Sequence, residues 1–138
     1  MNPYDLQMVS LCIWREARGA SDQAMRCVAW VIRNRMKDAR WPGTGHGVVL
    51  QPKQFSCFNA GDVNAVKFPH GRDAADWAAW ERVLKAVEDV FADGVAEVSD
   101  QTKGANHYHS IPDGKPYPSW AVREKEMLRL PGFRFYRL

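Results

Sequence analysis

The chain lacks most of the features that assign a class quickly. Cysteine is scarce: Cys12, Cys27 and Cys57 are an odd set without paired spacing, which argues against a disulfide framework and for synthesis in a reducing compartment. No apolar run is long enough to span a membrane. Neither His-Glu-x-x-His nor Cys-x-x-Cys occurs, so no common zinc or redox motif is present. The charge excess is small, +3 from 19 basic and 16 acidic residues. That suits a polyanionic partner but is too weak to indicate nucleic acid. The start, Met1-Asn2-Pro3-Tyr4-Asp5, has no basic segment followed by an apolar run, and no secretory signal is expected from it. Repeats, low-complexity segments and linkers are missing too.

What is present is globular. Hydrophobic residues at 46% and charged residues at 25% make disorder an unsuitable reading. A chain of 138 residues can bury roughly two-thirds of its unfolded surface as one domain, here residues 1–138.

Three helices are legible. Asn2 caps the first, with Pro3 at its first position and an apolar stripe of Leu6, Val9, Ile13 and Ala17. Gly19 is its expected stop. Ser21 caps the second, which presents Met25, Val28, Ile32 and Met36 and ends near Lys37 or Asp38. On its last turns Arg33 and Arg35 read as solvated, whereas Asn34 needs partners if buried. The third starts at Asp73 or Asp76 and carries a stripe of Trp77, Trp80, Leu84, Val87 and Phe91, with Gly94 as its stop. Between Arg40 and Arg72 the signals are those of a long irregular connection, which in a compact domain suggests a cleft wall or binding loop. Residues 104–110 read as extended. Pro112, Pro116 and Pro118 keep the next stretch non-helical, and Ser119 is placed to cap a short helix to about Leu128. The tail Phe133-Arg134-Phe135-Tyr136-Arg137 alternates aromatic with basic residues, suiting either core packing or an anionic envelope.

Glu16 is the residue that stands out. Helical geometry places it beside Val9 and Cys12, at the margin of the first stripe. A carboxyl among apolar neighbours has its charged form disfavoured, the property a general acid requires. The plainer alternative is a surface residue paired with Arg15 or Arg18.

Several stretches together resemble the SleB-type cell-wall hydrolase family, which includes spore cortex-lytic enzymes and phage lysins. They are Glu16-Ala17-Arg18-Gly19, Val28 through Arg35, the Pro42 turn, Val48, and Gln54-Phe55-Ser56. Gly104-Ala105-x-x-Tyr108-His109, Trp120 and Phe133-x-Phe135-Tyr136 complete the set, in the family's order. The resemblance implies an α+β, mainly α, lysozyme-like fold with a small irregular or β lobe. It also implies activity on peptidoglycan glycan strands, with Glu16 as the catalytic acid. Gln54, Phe55, Ser56, Asn106, Tyr108, His109 and Trp120 are then expected to bind substrate, with Trp41 a further sugar platform. Family members often carry a second acid directly after the Glu-Ala-Arg-Gly string, where this chain has Ala20.

Glycoside cleavage usually uses two carboxylates. Besides Glu16, only Asp22 and Asp62 are nearby, and helix capping and turn chemistry account for both. A lytic transglycosylase needs no second acid, because the C6 hydroxyl of the muramic residue is the nucleophile. That outcome is expected, with hydrolytic muramidase as the alternative. His107 and His109, two apart on a strand, could with Cys57 or His70 hold zinc in an amidase. No motif spacing supports this, and neither metal nor cofactor is expected. A non-catalytic wall-binding module would not need Glu16. The expected setting is a monomeric phage endolysin, held in the host cytoplasm until release to the cell wall.

Overall fold

Helix α1 (Pro3–Ala17) begins as its sequence dictates: the Asn2 side chain accepts the Asp5 N–H at 2.8 Å and Pro3 occupies the first helical position. The computed structural model describes residues 1–52, 54–69, 73–111, 114 and 116–138. Pro112 and His70 lie outside them. From Val9 to Arg15 every residue of α1 is buried, so this helix runs through the core instead of along its surface. Leu6, expected on the buried stripe, is 38% exposed, because the core begins one turn later. The C-terminal end is not closed by a left-handed Gly19. Arg18 closes it, donating from Nη1 to the carbonyls of Trp14 and Arg15 at 3.5 and 3.3 Å. A guanidinium there satisfies orphan carbonyls and complements the helix dipole.

Helix α2 (Asp22–Lys37) is capped by Ser21, whose Oγ accepts the Ala24 N–H at 3.1 Å. It packs against α1 and against α4 (Ala74–Phe91), which starts at the Asp73 cap. The buried face of α4 is Ala79, Trp80, Val83, Ala86, Val87 and Val90. Leu84 and Phe91 fall at its margin and Trp77 is 44% exposed, so the face is rotated from the stripe expected of the large side chains. Small alanines permit the closer helix approach. Within the irregular connection a short helix, α3 (Gly45–Val49), seats Val48 and Val49 in the core. A Cβ at Gly45 would lie 2.8 Å from Val9 Cγ2, so only glycine lets α3 come this close to α1.

Neither arginine on the last turns of α2 is solvated. Arg33 stacks over Trp30 and donates to the carbonyls of Val90 and Val95 at 2.8 and 2.7 Å, closing the C-terminal end of α4. Arg35 is buried beside the cleft described below. Asn34 finds its partners in Asp100 and the Ala105 carbonyl, both at 2.9 Å. Asp100 also accepts the backbone N–H groups of Thr102 and Gly104, fixing the turn that delivers the chain into β1.

Strands β1 (His107–Ser110), β2 (Glu126–Leu130) and β3 (Phe133–Tyr136) form an antiparallel sheet in the order β1-β3-β2. The helix expected from Ser119 is replaced by a 3-10 turn at Arg123–Lys125 that leads into β2. The reason lies downstream: Pro131-Gly132, with Gly132 at φ 81°, closes a tight hairpin that pairs Leu130 with Phe133. The aromatic-basic tail is therefore the central strand, with Phe133, Phe135 and Tyr136 buried. Among the described residues no helix is long and apolar enough to cross a membrane. The three thiols are free and buried.

Replacing Arg33 by Met retains the stem but orphans the Val90 carbonyl in the last turn of α4 and the Val95 carbonyl just beyond it. We expect a loss of about 2 kcal/mol, read as a lower denaturation midpoint with unchanged m-value.

Candidate active site

Glu16 sits on the last turn of α1, half-buried, with its Oε1 turned to the 3-10 turn Ser56–Phe58. There it accepts the Cys57 N–H at 3.2 Å and the Ser56 hydroxyl at 3.4 Å. Its Oε2 has no hydrogen-bond partner among the described residues. Arg15 and Arg18 do not pair with it. Arg15 lies between the rings of Phe58 and Phe68 and donates to the carbonyls of Lys67 and Cys57 at 3.0 and 3.4 Å. Arg18 reaches Asn64 and Asp76. Both arginines fasten the irregular connection to α1 and leave the carboxyl of Glu16 facing an open cleft.

That cleft encloses about 490 Å³. Glu16, Gln54, Phe55 and Ser56 form one wall. β1, through Tyr108, His109 and Ser110, and Trp120 also line the cleft. Of the residues expected to bind substrate, all but Asn106 and Trp41 thus meet at one place. Asn106 is turned away: its Nδ2 donates to the Leu138 carbonyl at 3.1 Å and its Oδ1 accepts the Leu138 N–H at 3.0 Å. Trp41 is also set back, packed against Arg35 and Arg40 and edge-on to His107.

Tyr108 packs on Phe55, Phe133 and Phe135. Burial pushes its hydroxyl well above the usual tyrosine range, and the charge of Glu16 adds to the shift. It stays a protonated donor at any working pH. His109 is fully engaged. Its Nδ1 meets the Ser110 carbonyl and its Nε2 the Tyr136 hydroxyl, both at 3.0 Å, while Tyr117 and Trp120 flank the ring.

Two cleft residues were not singled out for this role from the sequence. Arg35 donates from Nε to the Asn106 carbonyl at 2.7 Å and is held between Trp41 and Phe55. It has no carboxylate partner among the described residues. Its signal in the sequence was an arginine amid the apolar face of α2. The other is His107, considered only as a zinc ligand; its ring packs 4.9 Å from Trp120 and contacts Asn106 Oδ1 through Nδ1 at 2.8 Å. No group of three metal-ligating side chains occurs among the described residues. The other carboxylates once considered are elsewhere: Asp22 pairs with Arg82 at 2.7 Å, and Asp62 closes its own turn on the Asn64 N–H at 2.8 Å.

Three packed helices, a carboxyl at the end of the first and a small antiparallel sheet beside it make a mainly α, lysozyme-like fold. Residues 19–136 match the Cell Wall Hydrolase family, and the chain belongs to that family. The fold is also that of the catalytic domain of the germination-specific lytic transglycosylase SleB from Bacillus anthracis, with a TM-score of 0.68 and 24% identity over 99% of this chain and 97% of that one. The catalytic domain of the Bacillus cereus SleB protein has the same TM-score, 0.68, at 22% identity over 99% of this chain and 91% of that one. A spore cortex-lytic enzyme of Oceanobacillus iheyensis is 34% identical over 59 residues, 43% of this chain and 21% of that protein. The chain thus spans about a fifth of that relative's length.

Burial, with the charges of Arg35 and Arg40, pushes the His107 imidazole down from 6.5 to about 4. A depressed folded-state value means the unfolded chain binds the proton more readily. The associated stability is complete above pH 6.5 and is lost as pH falls towards 4. Denaturant melts at pH 7 and 4.5 should show a smaller drop for His107→Phe than for the wild type.

Proposed function

We propose that this protein is a peptidoglycan lytic transglycosylase that cleaves the MurNAc-GlcNAc bond and leaves 1,6-anhydro-muramic ends. One observation carries the reading. Glu16 is the only acid among the described residues lining the cleft, and its carboxyl is held by two donors on one oxygen. With Oε1 accepting from Cys57 and Ser56, Oε2 is the oxygen left to carry the proton that is transferred. Glu16 gives that proton to the glycosidic oxygen as the bond to the anomeric carbon breaks. The substrate's own N-acetyl oxygen supports the positive carbon. The C6 hydroxyl then attacks, and its proton returns to Glu16. No water needs positioning, so no second carboxylate is required. Gln54, Ser56, Tyr108 and Trp120 supply donors, an acceptor and a flat apolar face for the sugars.

Glu16→Gln keeps an oxygen for Cys57 and Ser56 but has no proton to give. It should fold normally and lose lytic activity by about a hundredfold or more. Mass spectrometry of products from purified peptidoglycan should find muropeptides lighter by one water, unaffected by EDTA. Hydrated reducing ends would instead make the enzyme a muramidase with the same acid. Free stem peptides, or no release at all, would overturn the reading.

The setting we propose is that of a monomeric phage endolysin, waiting in the host cytoplasm for a holin. Three buried, unpaired thiols suit folding in a reducing compartment. Expression alone should leave cells intact, and co-expression with a holin should lyse them within minutes. Lysis without holin would contradict this setting.

A further inference from the structure

Two backbone contacts decide the chemistry of one cleft side chain. Asn106 Oδ1 accepts the Leu138 N–H at 3.0 Å while its Nδ2 donates to the Leu138 carbonyl at 3.1 Å. A backbone N–H can only donate and a carbonyl can only accept, so the orientation of the Asn106 amide is set. Its Oδ1 is an acceptor, and the His107 Nδ1 that lies 2.8 Å from it must carry a hydrogen. In a neutral ring the other nitrogen, Nε2, is then a bare acceptor. The ring is kept neutral by its surroundings. Arg35 on α2 and Arg40 just beyond it repel a second proton, and Trp41 and Trp120 enclose the ring with apolar surface.

His107 lines the cleft, and Nε2 has no partner among the described residues. His109, two residues along the same strand, makes the contrast: its Nε2 is already occupied by the Tyr136 hydroxyl. The same cleft carries donors in the Arg35 guanidinium and in the hydroxyls of Tyr108 and Ser110. A glycan strand presents donors of its own, in ring hydroxyls and acetamido N–H groups.

We propose that His107 is a substrate-binding residue that accepts a hydrogen bond, through Nε2, from a hydroxyl or acetamido N–H of the bound amino sugar. The inference rests on the glycan-cleaving reading of the cleft. It assigns His107 to affinity and specificity, with no part in proton transfer.

The test uses Glu16→Gln as the parent, so that binding is read without turnover, and a GlcNAc-MurNAc tetrasaccharide as the probe. Binding is followed by tryptophan fluorescence or calorimetry. His107→Phe keeps a flat ring between Trp41 and Trp120 but removes the acceptor, and should weaken binding about tenfold. His107→Gln places an amide oxygen near the Nε2 position and should recover binding to within about threefold of the parent. With Glu16 restored, the Phe variant should raise KM and leave kcat nearly unchanged. A His107→Phe protein that binds within about twofold of the parent overturns the inference alone, as does a folded Gln variant that binds as poorly as Phe. Should the wild type fail to cleave glycan and the parent fail to bind it, the reading of the cleft falls and this inference with it.

Discussion

The residue on which the site depends is Cys57, because three residues of one helix face hold it at once. Cys12, Arg15 and Glu16 are spaced at i, i+3 and i+4, which places them side by side on α1. Cys12 meets the Cys57 thiol through its carbonyl at 3.9 Å, Arg15 binds the Cys57 carbonyl at 3.4 Å, and Glu16 accepts the Cys57 N–H at 3.2 Å. The irregular connection has little regular structure to position it, and these contacts tie it to the most deeply buried helix. The carboxyl and the wall opposite its open side are therefore set by the same few atoms.

Arg35 does the corresponding work on the other side. A buried guanidinium is costly to desolvate unless its donors are satisfied. It resolves this by binding the Asn106 carbonyl at the entrance to β1, contacting Gln54 at 3.4 Å and stacking between two rings. One side chain thereby links α2, the first strand and the Gln54–Ser56 wall. Arg35 is also the one arginine or lysine, and Glu16 the one acid, among the described residues lining the cleft.

Much of this was legible in the sequence, where signals were local. The caps at Asn2, Ser21 and Asp73 act as their side-chain chemistry requires, and Glu16, Gln54, Phe55, Ser56, Tyr108, His109 and Trp120 of the ordered motifs line one cleft. What stayed hidden were the effects of distant partners. Nothing near Arg33 or Arg35 in the chain announces that carbonyls from α4 and from Asn106 will receive them. Trp77 belongs to the periodic stripe of α4 by size, yet the helix turns Ala79 and Ala86 inward, on the side where α2 packs. Ser119 is a sound helix cap, but Pro131-Gly132 commits the following residues to a hairpin. Asn106 lies between the matched residues Ala105 and Tyr108 and was expected at the sugar. In the structure it anchors the end of the central strand and orients the histidine beside it.

The buried thiols have a consequence for the protein's chemical durability. Burial pushes Cys12 well above the ordinary thiol range and Cys27 up to about 12. The reactive thiolate is therefore almost unpopulated at both positions. Cys57, though its backbone carries the whole arrangement around Glu16, is shut away from solvent as well. An oxidant would have to open the core before reaching Cys12 or Cys57. With no disulfide among its three thiols, the fold does not depend on the redox state of its surroundings.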